Sequence, residues 1–356
     1  MWKSLKDRAE GVKEMKRMKT TEAVGQVLCH DITQIIPGVT KDAVFRKGHI
    51  IREEDIPVLL SVGKDSVYIW ENDETMMHEN DAAEVLYRMT ANEHMHPSDV
   101  KEGKIEAIAD TEGLLKVDRE KLKKVNAFGE MMIATRHGNT VVKKGDKLAG
   151  TRIIPLVIKK DKMQEAEKIC DGTPILKILP FTVKKAAIIT TGNEVYHGRI
   201  KDAFTPVIEQ KIAEFGAEMM FHEIFDDNDR KITDGCLRAI EAGADIVFCT
   251  GGMSVDPDDK TPLAIKNTGA EMISYGSPVL PGAMFLLSYY RKGDKVIPIC
   301  GLPGCAMYNR RTIFDLVLPR LMAADPVTAD ELASLGEGGL CLNCKVCTFP
   351  NCGFGK

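Results

Sequence analysis

At 356 residues the chain exceeds one typical domain and suits two or three. With 44% apolar residues, 28% charged residues and a net charge of −4 it has an ordinary globular composition and no global basic surface, which excludes a general nucleic-acid binder. No apolar run approaches a membrane span. The basic lead-in "MWKSLKDRAEGVKEMKRMK" has no apolar h-region, so the expectation is a cytoplasmic chain without a secretory signal.

After that charged lead-in, "TEAVGQVLCHDITQI" starts an alternation of short apolar strands and turns. "FRKGHII" reads as a strand around a Lys-Gly turn, "REEDIPVLLSVG" as a short helix, "DSVYIW" as a strand and "ENDAAEVLYRMT" as a helix. His78, His94 and His96 fall near one another without an obvious carboxylate or cysteine partner and read as solvated loop residues. From about residue 101 the segments "KIEAIAD", "GLLKV", "EMMIATR", "NTVVKKGDKLAG" and "RIIPLVI" are short, β-rich and separated by Gly-bearing turns, with one helix in "DREKLKKVNAFG" and another in "KMQEAEKICDG".

The pattern then becomes regular: strand "KKAAIITT", helix "DAFTPVIEQKIAEFG", strand "AEMMFHEIF", helix "DRKITDGCLRAIEAG", strand "ADIVFCT" and helix "KTPLAIKNTG", with Thr261 as its cap. Strands "AEMISYG", "AMFLLSYY" and "KVIPIC" follow, then a helix from Cys305 to about Leu321. Such alternation predicts a mainly parallel sheet covered on both faces, over residues 182–325. The expected layout is an α+β region at 1–100, a β-rich module at 101–181, this α/β domain, and a Cys-rich tail at 336–356.

In open α/β sheets ligands bind beyond the carboxyl ends of the strands. Four strands here end in informative loops: Gly192-Asn193-Glu194, the acidic "DDND" from Asp226, "GGMSVDPDDKTP" after Thr250, and Gly301 to Cys305 with Pro303 and Gly304, expected to open a helix. Glycines at these points let backbone N–H groups approach a phosphate, and Ser254 adds a hydroxyl. Each glycine is equally explained by a tight turn. Asp258 and Asp259 would repel a phosphate unless a divalent cation bridges them, and Mg²⁺ is commonly held by one or two carboxylates plus phosphate oxygens. Otherwise one aspartate caps the helix and the rest are solvated.

At these residues the sequence resembles a known family. "TTGNEV", "TGGMSVDPDD", "PVLPGA" and "GLPGCA", in this order, are similar to the molybdopterin-binding domain of molybdenum cofactor biosynthesis proteins, which include molybdopterin molybdenumtransferases and the gephyrin type. "AVGQVLCHDITQI" and "FRKGHII" resemble, more loosely, the opening of the transferase branch. The resemblance implies a three-layer α/β domain that binds molybdopterin, free or adenylylated, and a Mg²⁺-assisted step that releases adenylate and inserts molybdate. It assigns Asp259 as the loop aspartate, helped by Asp258 or Asp226, with Gly192, Asn193, Glu194, Thr250, Gly251, Gly252, Ser254, Gly301, Pro303 and Gly304 around the ligand. Where the transferases usually carry "GDYD", this chain has "DPDD", and their N-terminal Ser-Ala-Met-Asp-Gly-Tyr-Ala segment has no counterpart here. "DD-x-T" also resembles the related domain of competence-damage-type pyrophosphatases. The leading expectation is a transferase-like enzyme. The alternative is a non-catalytic protein that holds the cofactor and delivers it to a recipient molybdoenzyme. A homo-oligomer is the family's habit.

Of ten cysteines, six sit in apolar runs and read as buried. Cys341, Cys344, Cys347 and Cys352 crowd the last sixteen residues with spacing C-x₂-C-x₂-C-x₄-C, which suits a Zn²⁺ site or an iron–sulfur cluster. The preceding "GEGG" reads as a hinge to an appended module.

Overall fold

A computed structural model of the chain describes residues 16–36, 40–69 and 73–356, so the charged lead-in at 1–15 lies outside the described residues. Apolar alternation decides the N-terminal elements. Strand Arg17–Lys19 pairs with Ser66–Tyr68, and Ile32–Ile36 pairs with Thr40–Phe45, all antiparallel. They enclose a core of Ala23, Leu28, Ile32, Ile51, Leu59, Val67 and Ile69, to which helix Asp55–Ser61 contributes Leu59. The anticipated Lys-Gly turn falls at Gly48, whose φ of +86° suits glycine.

A second core forms where helix Glu79–Thr90 lays Ala82, Val85, Leu86 and Met89 on a four-stranded antiparallel sheet. The strand order there is Met95–Pro97, Lys104–Ala109, Lys147–Ile153, Met131–Thr135. Helices Arg119–Ala127 and Lys160–Cys170 lie alongside, the first capped by the Asp118 carboxylate on the Lys121 amide. His78 is not a solvated loop residue. It is buried, its Nε2 donating to the Cys29 carbonyl at 2.6 Å and its Nδ1 accepting from the Asn80 amide to cap the helix. His96 has a carboxylate partner after all, Asp110 at 2.6 Å. The β-hairpin that brings Asp110 back beside it was not apparent from linear spacing.

The regular C-terminal part contains β1 (Lys185–Thr191), α1 (Phe204–Ala213), β2 (Glu218–Phe225), α2 (Asp229–Glu241), β3 (Ile246–Thr250), α3 (Thr261–Asn267), β4 (Glu271–Tyr275), β5 (Leu286–Lys292), β6 (Lys295–Leu302) and α4 (Ile313–Met322). The sheet order is β2-β1-β3-β6-β5-β4; the first four strands are parallel and β5 runs against both neighbours. Successive residues of a strand face opposite sides. Ile188 and Phe248 therefore join Ile208 and Ile212 of α1 and Phe314 and Leu318 of α4 on one side. Ile189 and Val247 meet Ile232, Cys236 and Ile240 of α2 and Ala264 and Ile265 of α3 on the other. Burial on both faces explains why β1 and β3 are continuous apolar runs. The result is the expected three-layer, mainly parallel domain behind a smaller β-rich region. No helix of the described residues is long and apolar enough to cross a membrane.

Three local expectations are corrected. The loop after β6 does not open a helix at Cys305. It makes one 3₁₀ turn, Gly304–Ala306, and α4 begins only at Ile313, where Thr312 and Asp315 form a reciprocal capping box. Thr261 is not the cap of α3; that position is Lys260, and the Thr261 hydroxyl is bonded elsewhere. "GEGG" is not a hinge. A Cβ on Gly339 would lie 2.6 Å from the Pro278 carbonyl oxygen, and one on Gly338 3.0 Å from that of Gly353, so these glycines serve close packing. Phe354 then anchors the tail in the α/β core.

Replacing Thr312 by Ala removes the buried hydroxyl that accepts from the Phe314 amide, while the Thr312 backbone amide keeps its bond to the Asp315 carboxylate. We expect a loss of about 1–2 kcal/mol in chemical denaturation with an unchanged m-value.

Candidate functional site

The carboxyl ends of β1, β2, β3 and β6 lie on one rim, and β4, parallel with them, ends there too. The centre of the rim is Thr191. Its hydroxyl donates to the Thr250 carbonyl at 3.1 Å and contacts the Thr261 hydroxyl at 3.0 Å, tying the ends of β1 and β3 to the start of α3. Gly251 and Gly252 pack against this point with φ of +82° and +54°. A Cβ on Gly251 would overlap the Thr191 carbonyl and one on Gly252 would lie 2.9 Å from Thr261 Oγ1, so both glycines are required by close approach as well as conformation.

The sequence-predicted residues distribute around it. Gly192 is buried with φ +133° and leads into a short helix, Asn193–Tyr196. The Asn193 amide donates to Asp227 at 3.0 Å, while Glu194 is exposed. Ser254 is exposed, and its carbonyl together with that of Met253 accepts from the Tyr275 hydroxyl. Gly301 lies within β6, paired with Cys249 and Leu286, where a Cβ would collide with the buried Met253 side chain; it seats a methionine and forms no turn. Pro303 flanks the 3₁₀ turn, and Gly304 has open space where a Cβ would be. Asp258 is exposed and Asp259 half-buried, its carboxylate accepting from the Asp256 amide at 3.2 Å.

Two polar atoms on this rim are buried and unpartnered among the described residues: Asp226 Oδ1, just past β2, and Thr250 Oγ1, at the end of β3. They flank β1 on its two sides. Asp226 spends its other oxygen on Lys231 at 2.8 Å. Buried polar groups are normally satisfied, so each of these two atoms leaves a hydrogen bond to be completed by water or a ligand.

Sequence reasoning marked Asp227 only as part of the acidic "DDND" loop and gave it no role. Burial raises its pKa, and Glu194, Asp258 and Asp259 add to the rise although the Asn193 amide opposes them. These four carboxyls from three loops thus share one field. It also missed a polar knot beneath the rim: Asp202 accepts from Thr190 at 2.9 Å and Thr205 at 2.6 Å, with His222 Nε2 at 3.5 Å. Burial opposes ionisation of Asp202, but the Thr205, Thr190 and Phe204 hydrogen bonds outweigh it and hold its pKa below the ordinary value. A threonine pair closing an apolar strand was the one available signal. Among the described residues no three His, Cys, Asp or Glu side chains converge as ligands of one metal ion.

A doubly covered, mainly parallel sheet with close-packed glycine loops and orphaned polar atoms at its carboxyl rim defines a ligand-binding α/β domain. Residues 187–323 match the family described as the probable molybdopterin binding domain. Residues 17–71 match a family described as a domain of unknown function. A "Putative competence-damage inducible protein" of Bacillus cereus (strain B4264) is 30% identical over 129 residues, 36% of this chain and 30% of that protein. Its namesake in Bacillus subtilis (strain 168) is 32% identical over 85 residues, 24% of this chain and 20% of that protein. The chain thus spans less than a third of these relatives. Among solved structures, the tungsten cofactor synthesizing protein MoaB of Pyrococcus furiosus aligns with 39% of this chain and 89% of its own (TM-score 0.32, 20% identity). The molybdopterin biosynthesis moea protein of Pyrococcus horikosii aligns with 73% and 82% (TM-score 0.33, 16% identity).

Two tests follow from this geometry. Gly251→Ala should lose at least 1–3 kcal/mol through the strained left-handed backbone alone, read as a lower thermal midpoint. Because the folded-state pKa of Asp202 is depressed, its stabilisation is complete above the ordinary carboxylate value of 3.8 and is lost as pH falls through the lowered folded value. Asp202→Asn should therefore lower stability at neutral pH and flatten its decline on acidification.

Proposed function

We propose that the α/β domain binds molybdopterin on this rim and acts late in molybdenum cofactor assembly, releasing adenylate from adenylylated molybdopterin as molybdate is inserted. The observation that carries the reading is the pair of orphaned atoms, Asp226 Oδ1 and Thr250 Oγ1, either side of the Gly192 loop in a domain of the molybdopterin-binding family. The Thr250 hydroxyl donates to a ligand oxygen. The Gly251–Gly252 backbone and Ser254 line the phosphate side, with the Gly192–Glu194 loop opposite.

The acidic group is suited to one cation shared with a phosphate. Mg²⁺ held by one or two carboxylates and phosphate oxygens does not need three converging protein ligands. Asp259, with Asp258 or Asp226, would hold it, and it would neutralise charge on the leaving adenylate. Asp227 tightens the field in which the ion sits. Of the rim carboxylates, Asp226 already has the Lys231 ammonium beside it, which orients it and moderates local charge.

A second reading, cofactor binding and delivery to a molybdoenzyme without chemistry, is favoured by one detail: the Asp259 carboxylate is turned onto the Asp256 amide of its own loop. Incubating the protein with adenylylated molybdopterin, Mg²⁺ and molybdate separates the two. Enzymatic action predicts AMP release, reduced about 10²-fold or more in Asp259→Asn. Tight pterin binding with no AMP release supports delivery, and failure to bind any pterin overturns both. Thr250→Val, which removes the orphan hydroxyl but keeps the side-chain volume, should weaken pterin binding about 3- to 30-fold in calorimetric titration, on the scale of one hydrogen bond.

A further inference from the structure

The tail cysteines lie apart from the rim chemistry just described. All four line a single cavity of about 280 Å³, together with Arg310, Arg311, Leu340, Phe349 and Phe354. Cys341 and Cys352 are half-buried against the α/β core, while Cys344 and Cys347 are exposed at its mouth. The tail wraps this space because it is fixed at both ends. The Leu280 amide donates to Gly339 and the Cys341 amide to the Leu280 carbonyl, both at 2.8 Å; the Gly355 amide closes onto Gly338 at 3.0 Å. Two cations form one wall. The Arg310 guanidinium donates to the Lys345 carbonyl at 3.1 Å, and that of Arg311 stacks over Phe349 at 4.9 Å.

The size of the space discriminates between occupants. Zinc bound by four thiolates at about 2.3 Å draws the sulfurs together and leaves no cavity between them. Here all four cysteines line a space of about 280 Å³, which leaves room between them for a group larger than one ion. Four thiols around a room rather than a point, walled by leucine and phenylalanine, suit a polynuclear group. The anionic charge of such a group with four thiolates faces Arg310 and also Arg311, which shares the buried Asp315 carboxylate with Lys211. The C-x₂-C-x₂-C spacing lets three ligands come from one loop, and the x₄ step returns the fourth from beside Phe354.

We propose that Cys341, Cys344, Cys347 and Cys352 bind a four-iron, four-sulfide cluster in this cavity. On loading, each thiol gives its proton to solvent and its sulfur bonds one iron; two ferrous ions, two ferric ions and four sulfides, all supplied from outside, make up the 2+ core with no further oxidant or reductant. The proposal is independent of pterin binding.

The full-length protein, purified without oxygen and reconstituted with iron and sulfide, is assayed for bound iron and labile sulfide. The expected result is about four of each per chain with broad visible absorption. Cys344→Ala and Cys347→Ala change exposed side chains and should lower iron content several-fold with the far-ultraviolet circular dichroism unchanged. Cys170→Ala, in a separate core, should retain the iron. One zinc per chain in a colourless protein, no retained iron in the folded wild type, or full iron content in both exposed-cysteine variants would each overturn the assignment.

Discussion

The hydroxyl of Thr191 governs the arrangement of the rim. One side chain holds the ends of two parallel strands and the first residue of α3 within hydrogen-bonding reach. Because Thr191 occupies that space, the chain leaving β3 has room only for backbone, and Gly251 and Gly252 follow from that constraint. With the turn so tight, Thr250 is left buried with its own hydroxyl unspent. The unspent hydroxyl on the rim thus accompanies the way the sheet is closed, and the glycines are required by packing whatever the rim binds.

Charge is distributed by the same geometry. Asp226 and Asp227 leave β2, Glu194 leaves β1, and Asp258 and Asp259 leave β3; parallel strands deliver all of them to one end. Burial is the main cause of the upward shift of Asp227, and repulsion from Glu194, Asp258 and Asp259 adds to it. Lys231 offsets only Asp226. An arrangement that raises the free energy of the empty rim favours any occupant that brings a cation with its phosphate, in line with carboxylate–phosphate sharing of Mg²⁺.

The sheet was legible in the sequence because both faces are covered: runs such as "AAIITT" and "DIVFCT" signal a buried parallel strand without knowledge of partners. The rim loops were legible as positions, since they follow those runs. Their internal roles were less so. Gly301 reads as a loop glycine, yet it continues β6 because Met253 needs the space, a contact between residues 48 apart in sequence. The start of α4 was missed because "GLPGC" mimics a strand-to-helix turn, whereas the decisive signal, Thr312 with Asp315 three residues on, lies further along. His78 and Asp202 depend on partners from other segments, Cys29 and Thr190, which no local pattern reveals. "GEGG" misled for the opposite reason: glycine in a flexible linker and glycine in a tight contact are identical in sequence.

The paired amides of Leu280 and Cys341 join segments sixty residues apart, one in the loop between β4 and β5, the other in the cysteine tail. These bonds are made by main-chain groups, so they fix where the tail lies without dictating its side chains. The tail is thereby seated on the "PVLPGA" loop, and the cysteines are presented from a backbone that this loop holds in place.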